Sequence, residues 1–139
     1  MQKLDDVIAE FAELDPEEKL ELLLEYSETL PGLDPVQACE IRQSNCRVTE
    51  CQTTVFLGVS MNEGRIHIVA DVPRNSPVVR GLVALIVQVV EGATPAEVAE
   101  IPVDLLQQLG LLQTLGMTRQ RGIQGVVEFI KRKIAKLTQ

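Results

Sequence analysis

The segment from Val78 to Val90 constrains the fold most, because it would be apolar on nearly every side of a helix. Asn75 to Pro77 ahead of it form a cap with proline at the helix start, and Gly92 ends it. Arg80 and Gln88 interrupt the segment, so it falls short of the roughly 20 apolar residues that a bilayer span needs. We therefore predict a central, buried helix and no membrane interaction.

Helical periodicity predicts further helices on both sides of this segment. Apolar residues spaced three and four apart predict a first helix, with Leu4, Val7, Ile8 and Phe11 on one face. Asp15-Pro16-Glu17-Glu18 predicts the capped start of a second helix that ends near Pro31-Gly32. Thr94 to Glu97 repeats this capping pattern, and Thr118 is the predicted cap of the last helix. The stretch from Leu33 to Glu50 has no clear period and is predicted to be an irregular connector with about one helical turn.

A hairpin is predicted between Gln52 and Asp71, where apolar residues alternate with polar or smaller ones. Met61 to Gly64 is short and polar and contains a glycine, as a hairpin turn requires. Two helices, a hairpin and then several helices predict an α+β fold, with helices packed on one face of a small antiparallel sheet. We expect a single domain over residues 1–139.

Charge and composition argue against a nucleic-acid partner. The net charge is −7, aromatic residues make up 3% of the chain and tryptophan is absent, so phosphate would be repelled and few rings could stack on bases. Residues 1–30 carry ten acidic against two basic side chains, whereas residues 117–139 carry six basic against one acidic. The start of the chain does not have the pattern of a secretory signal, so a cytoplasmic location is expected.

One cysteine remains as the candidate reactive residue after the other motifs are considered. His67, the only histidine, falls on the polar side of a predicted strand, and no glycine-rich phosphate-binding pattern occurs. Cys39, Cys46 and Cys51 do not have the spacing of a zinc site, so no metal is expected. Cys51 remains as the candidate, because it lies where the connector meets the first predicted strand, a position suited to presenting a thiol.

The segment Cys51-Gln52-Thr53-Thr54-Val55-Phe56 resembles the Cys-Gln-Ser-x-Val-Trp segment of the SufE family. Pro77-Val78-Val79-Arg80-Gly81-Leu82 is similar to a buried helix of that family, and later landmarks follow in order at Thr94 to Val98, Leu109 to Leu111, Arg119 and Gly122. The resemblance implies a SufE/NifU-like fold and a sulfur carrier that is not itself an enzyme. Such a protein takes persulfide sulfur from a SufS-like cysteine desulfurase, stimulates that enzyme, and delivers the sulfur to a SufB-like scaffold for iron-sulfur cluster assembly.

The resemblance, together with the positions of residues around Cys51, suggests roles for individual side chains. Cys51 would accept the persulfide, and Arg119 would stabilise its thiolate or its loop, with Arg47 and Arg80 as weaker candidates. Gln52 and Thr53 would support the loop. Cofactors are not expected on this chain, since pyridoxal phosphate would belong to the desulfurase. The chain would be a monomer or a weak homodimer.

One departure from the family pattern and two alternative functions stay open. Glu50 stands where the family usually has glycine, and a carboxylate there would disfavour the Cys51 thiolate. Cys46 and Cys51 could instead form the redox pair of a thiol-disulfide oxidoreductase. A non-catalytic adaptor, recognised through its acidic helices and basic tail, is the other alternative.

Overall fold

The structure is a computed structural model that describes residues 1–42 and 46–138. In chain order its elements are α1 (Gln2–Ala12), α2 (Pro16–Thr29), α3 (Pro35–Ile41), β1 (Phe56–Asn62), β2 (Arg65–Asp71), α4 (Pro77–Val90), α5 (Pro95–Ala99), α6 (Leu105–Gln108) and α7 (Leu112–Leu137). Over these ranges, helices that could cross a membrane are not found.

Local capping chemistry sets the starts of several helices. Asp15 caps α2 through the backbone N–H of Glu18, whose side chain accepts in return from the Asp15 N–H. Thr94 caps α5 in the same way, as predicted. Asp34 forms a third such box with Gln37 and starts α3. The prediction of an irregular connector was therefore wrong over Pro35–Ile41, because this capping box supports two turns of helix.

The central helix is confirmed, since α4 is buried along nearly its whole circumference and packs on α2, β2 and α7. Its contact with α2 is close because Gly81 has no side chain. A Cβ at Gly81 would overlap the Leu23 carbonyl group of α2. Glycine at position 81, within the segment Pro77 to Leu82, is thus explained by the close packing of two helix backbones.

The two strands form the predicted antiparallel hairpin, with Glu63 and Gly64 at positive φ in the turn. The register pairs Leu57 with Ala70 and Val59 with Ile68, and these side chains share the face that looks into the core. β1 begins at Phe56 and not at Gln52. On the opposite face Ile41 of α3 packs at Gly58. The predicted α+β architecture is confirmed, and α3 adds a contact on the second face of the sheet.

Helix α7 spans Leu112–Leu137, but a break at Gly116 divides it, so the helix after the break starts close to the predicted start at Thr118. Gly116 interrupts the helical geometry with φ of 84° and ψ of 172°, values that residues with a side chain rarely adopt. Leu115 on one side of this break is buried, whereas Met117 on the other side is 60% exposed. The break therefore divides α7 into a short first turn and a long second part, which passes beneath the segment that carries Cys51.

Candidate functional site

Cys51 lies in a short loop whose two ends are fixed. Arg47 and Phe56 form an isolated antiparallel bridge at its base, and the Val48 N–H donates to the Val55 carbonyl over 2.9 Å. Val48 and Val55 are both fully buried and anchor the loop in the core. Cys51 is thus held in a loop closed by backbone pairing, in agreement with its predicted position before the sheet.

The Cys51 side chain is packed against α7. Its residue is 8% exposed, and its thiol donates to the Gly122 carbonyl with an Sγ to O distance of 3.3 Å. A Cβ at Gly122 would lie 3.3 Å from Sγ, a tighter contact than most real Cβ atoms make. The absence of a side chain at Gly122 therefore lets the sulfur reach the helix backbone.

Burial suppresses ionisation of this thiol. Burial, followed by the negative charge of Glu50, raises the pKa of Cys51 from 9.0 to about 11. Near neutral pH the sulfur is consequently a protonated thiol, which is a poor nucleophile compared with the thiolate. The expectation that Glu50 opposes thiolate formation agrees with this direction, although burial is the larger cause.

Cys51 borders a cavity of about 480 Å³ between its loop, the start of α4 and α7. Gln52 and Thr53 lie on the same wall, and Arg119 lines the side formed by α7. The Arg119 side chain is exposed, with Nη1 at 3.5 Å from the Leu115 carbonyl oxygen. The cavity thus brings together Cys51, Arg119, Gln52 and Thr53, whose roles stay predictions.

The other two arginines considered for the thiolate are placed differently. Arg80 is 8% exposed and donates to three backbone carbonyls: Nε to Ser27 over 3.1 Å, Nη1 to Val72 over 2.7 Å and Nη2 to Leu30 over 3.3 Å. Its guanidinium is therefore engaged in joining α4 to the end of α2 and the end of the hairpin. Arg47 is exposed and takes part in the site through its backbone at the base of the loop.

The remaining cysteines and the histidine lie elsewhere. Cys39 is exposed on α3 and Cys46 is half-buried just before the loop. His67 is on the hairpin, with Nδ1 at 3.1 Å from the carboxylate of Glu91. Across residues 1–42 and 46–138, groups of three or more potential metal ligands are not found.

Sequence reasoning missed one part of this site. Gly125 lies one turn after Gly122 on α7, and the Glu50 side chain rests on it. Asn75, Ser76 and Thr118, which the sequence patterns assigned to helix caps, line the cavity. The presence of Gly122 and Gly125 inside an amphipathic helix was the available signal, because glycine inside a helix is unfavourable unless a close contact needs it.

Comparisons with known proteins identify relatives along nearly the whole chain. A family model described as "SufE: Fe-S metabolism associated domain" matches residues 5–134. An uncharacterized SufE-like protein of Mycobacterium tuberculosis is 30% identical over 132 residues, which cover 94% of this chain and 90% of that protein. The sulfur acceptor protein CsdE of Escherichia coli is 32% identical over 116 residues, which cover 82% of this chain and 75% of that protein.

A solved structure has the same fold. The solution structure of a hypothetical protein from Thermus thermophilus superimposes with a TM-score of 0.83 at 27% sequence identity. The match covers 98% of this chain and 96% of that one, so the likeness extends over nearly the whole of both chains.

Proposed function

The chain belongs to the SufE family, and from that premise we propose that it is a sulfur acceptor of Fe-S metabolism that carries persulfide sulfur on Cys51. The observation that carries the proposal is the setting of Cys51: a buried thiol in an anchored loop, against the Gly122 carbonyl and beside a cavity. CsdE, a sulfur acceptor protein by name, matches 82% of the chain and supports the same role.

The transfer step needs no oxidant. The Cys51 thiolate attacks the outer sulfur of a persulfide on the cysteine of a desulfurase, forming a new S–S bond to Cys51. The S–S bond on the donor breaks, and its electron pair leaves with the donor cysteine as a thiolate. The proton lost from Cys51 balances the one that the donor sulfur takes up, so Cys51-S-SH and a free donor thiol are the products.

The resting geometry explains how a reactive sulfur is kept from side reactions. The thiol is protonated at neutral pH and covered by α7, so it reacts slowly while the protein is alone. The cavity of about 480 Å³ is far larger than one added sulfur atom, so the terminal sulfur of the persulfide has room beside Cys51. Arg119 lines this cavity and would supply positive charge to a persulfide anion there, whereas in the resting protein burial and Glu50 set the raised pKa of Cys51.

The protein would act as an accessory to an enzyme. The desulfurase, SufS-like in this proposal, supplies the C–S cleavage through its own pyridoxal phosphate, so Cys51 performs only sulfur exchange. Removal of the persulfide frees the desulfurase cysteine for the next turnover, which is how the acceptor stimulates it. A SufB-like scaffold for cluster assembly would then receive the sulfur.

Intact-mass spectrometry tests the proposal. The protein is incubated with a cysteine desulfurase and cysteine, and we expect a mass gain of one sulfur atom that a reductant reverses. The gain should persist in Cys39→Ser and Cys46→Ser and disappear in Cys51→Ser. A sulfur gain that survives in Cys51→Ser would overturn the assignment of the acceptor.

The same experiment separates the other two functions. A thiol-disulfide oxidoreductase would lose the mass of two hydrogen atoms on oxidation, and Cys46→Ser would abolish that change. An adaptor would bind the desulfurase with no mass change, and Cys51→Ser would stimulate it as well as the parent protein does. Either pattern would replace the carrier proposal.

A further inference from the structure

The Glu50 side chain lies directly on the backbone of α7 at Gly125. A Cβ placed at Gly125 would be 2.5 Å from Cβ, 2.9 Å from Cγ and 2.8 Å from Oε2 of Glu50. Ordinary van der Waals contacts of a Cβ are longer by about an ångström. The space that any other residue would fill at Gly125 is therefore occupied by Glu50.

This contact is continuous with the one that Cys51 makes. Gly122 and Gly125 are three residues apart on one helix, so they are neighbours on its surface. Glu50 rests on one glycine and Cys51 on the other, with a Cβ at Gly122 only 3.7 Å from the Cys51 Cα. Glu50 and Cys51 thus both pack directly against the backbone of α7, at Gly125 and Gly122.

We propose that Gly125 is a positioning residue for Cys51: its bare backbone receives Glu50, and Glu50 seated there holds the loop with the Cys51 sulfur turned to the Gly122 carbonyl. The inference rests on the proposed function and deepens it by naming what keeps the carrier loop closed. Gly125 acts through Glu50 and need not touch the persulfide.

The loop, and not the helix, must yield when Gly125 gains a side chain. The nearest Glu50 atom is Cβ, which is fixed to the main chain, so no change of side-chain rotamer can move it away. Helix α7 is held by the core on either side of this point, where Gly122, Ile123, Val126 and Val127 are all buried. A methyl group at Gly125 therefore displaces the peptide that precedes Cys51.

Alkylation of Cys51 in Gly125→Ala tests the proposal without a desulfurase. Iodoacetamide is applied at fixed pH, and the modified cysteines are identified by peptide mass. We expect Cys51 to react about tenfold faster than in the parent protein, since the strain of forcing a methyl group into a packed contact raises the ratio of open to closed loop by about this factor. Cys39, which is exposed on α3, is the internal reference and should react at an unchanged rate.

Two further variants separate positioning from a general loosening of the fold. Gly32→Ala is the matched control, because a Cβ at Gly32 meets nothing within 4 Å, and it should leave the Cys51 rate unchanged. Glu50→Gly removes the group that Gly125 receives. We expect Gly125→Ala to have no further effect on the Cys51 rate in the Glu50→Gly background, so that the two changes are not additive.

The outcomes decide the proposal in each case. If Gly125→Ala fails to fold, the Glu50→Gly/Gly125→Ala protein should fold again, because the overlapping group is gone; failure of both overturns the proposal. An unchanged Cys51 rate in Gly125→Ala, or the same acceleration with and without Glu50, also overturns it. Sulfur transfer from desulfurase and cysteine is measured on the same proteins. If the effects of the two substitutions on the Cys51 alkylation rate are non-additive but Cys51 gains no sulfur in any of the proteins, the carrier function is rejected and the positioning role stands.

Discussion

The Cys51 thiol donates a hydrogen bond of 3.3 Å to the backbone carbonyl of Gly122, which brings the sulfur into contact with the bare surface of a helix. A carbonyl oxygen accepts a hydrogen bond from a thiol, but it has no proton to donate to a thiolate. The contact therefore favours the protonated form, in the same direction as burial. A sulfur held in this way has to leave the helix before it can react.

The pH dependence of Cys51 alkylation follows from this contact. Because the pKa of Cys51 is raised to about 11, its alkylation rate should rise about tenfold per pH unit from neutral pH until it levels near that value. The measurement is the rate for Cys51 by peptide mass over the pH range, and a Cys51 profile that levels well below pH 11 would contradict the buried, protonated thiol.

The same pKa shift predicts a loss of stability in alkali. Below about pH 9 the thiol is protonated in both states, and between about pH 9 and 11 only the unfolded chain releases the proton, so the free energy of unfolding falls as pH rises. Across this pH range the free energy of unfolding should fall by about 2 to 3 kcal/mol because of Cys51. Urea unfolding of the parent protein and Cys51→Ser should show a difference in slope in this window; parallel curves would refute the prediction.

Replacement of Arg119 should weaken sulfur transfer without weakening the fold. Arg119→Ala removes the positive charge that lines the Cys51 cavity, and we expect the rate of sulfur gain from the desulfurase to fall about tenfold, as for loss of one charge-assisted interaction. Arg121→Ala, an exposed neighbour on α7, is the control for net charge. Equal rates for the two variants would show that Arg119 acts only through its charge at a distance. Unfolding free energies of both should stay within about 0.5 kcal/mol of the parent.

Arg80 is predicted to be a stability residue. Arg80→Met removes the donors to the Ser27, Leu30 and Val72 carbonyls, and leaving them unpaired should lower the free energy of unfolding by about 3 kcal/mol. Arg74→Met, at an exposed position, is the control and should change it by less than about 0.5 kcal/mol. Urea titration measures both. A change in Arg80→Met as small as the control would mean that the three carbonyls find other donors.

Local signals were enough to predict most elements from the sequence. The capping boxes at Asp15 and Thr94, the hairpin turn before Gly64 and the apolar length of α4 each depend on neighbouring residues, and each is confirmed. The box at Asp34 has the same form and was overlooked, because the residues around Cys39 lack a helical apolar stripe. A capping box can therefore indicate a helix even where the apolar residues show little helical periodicity.

The parts that sequence could not predict depend on contacts between distant segments. Glu50 and Gly125 are far apart along the chain, and no periodicity in either segment indicates that they touch. The true start of β1 at Phe56 has the same origin: the alternating pattern begins near Thr54 and Val55, but these residues belong to the loop that the bridge between Arg47 and Phe56 closes. Tertiary pairing here overrides the local pattern.

The bridge between Arg47 and Phe56 also fixes the reach of the sulfur. Cys51 is three residues from the buried Val48, so even a fully stretched tether would carry it only about 10 Å from that anchor. A tether of this length is too short to carry the sulfur from one partner protein to another. If the protein carries sulfur as proposed, donor and recipient must each bring the reacting atom to the edge of this domain, and the whole protein must move between them.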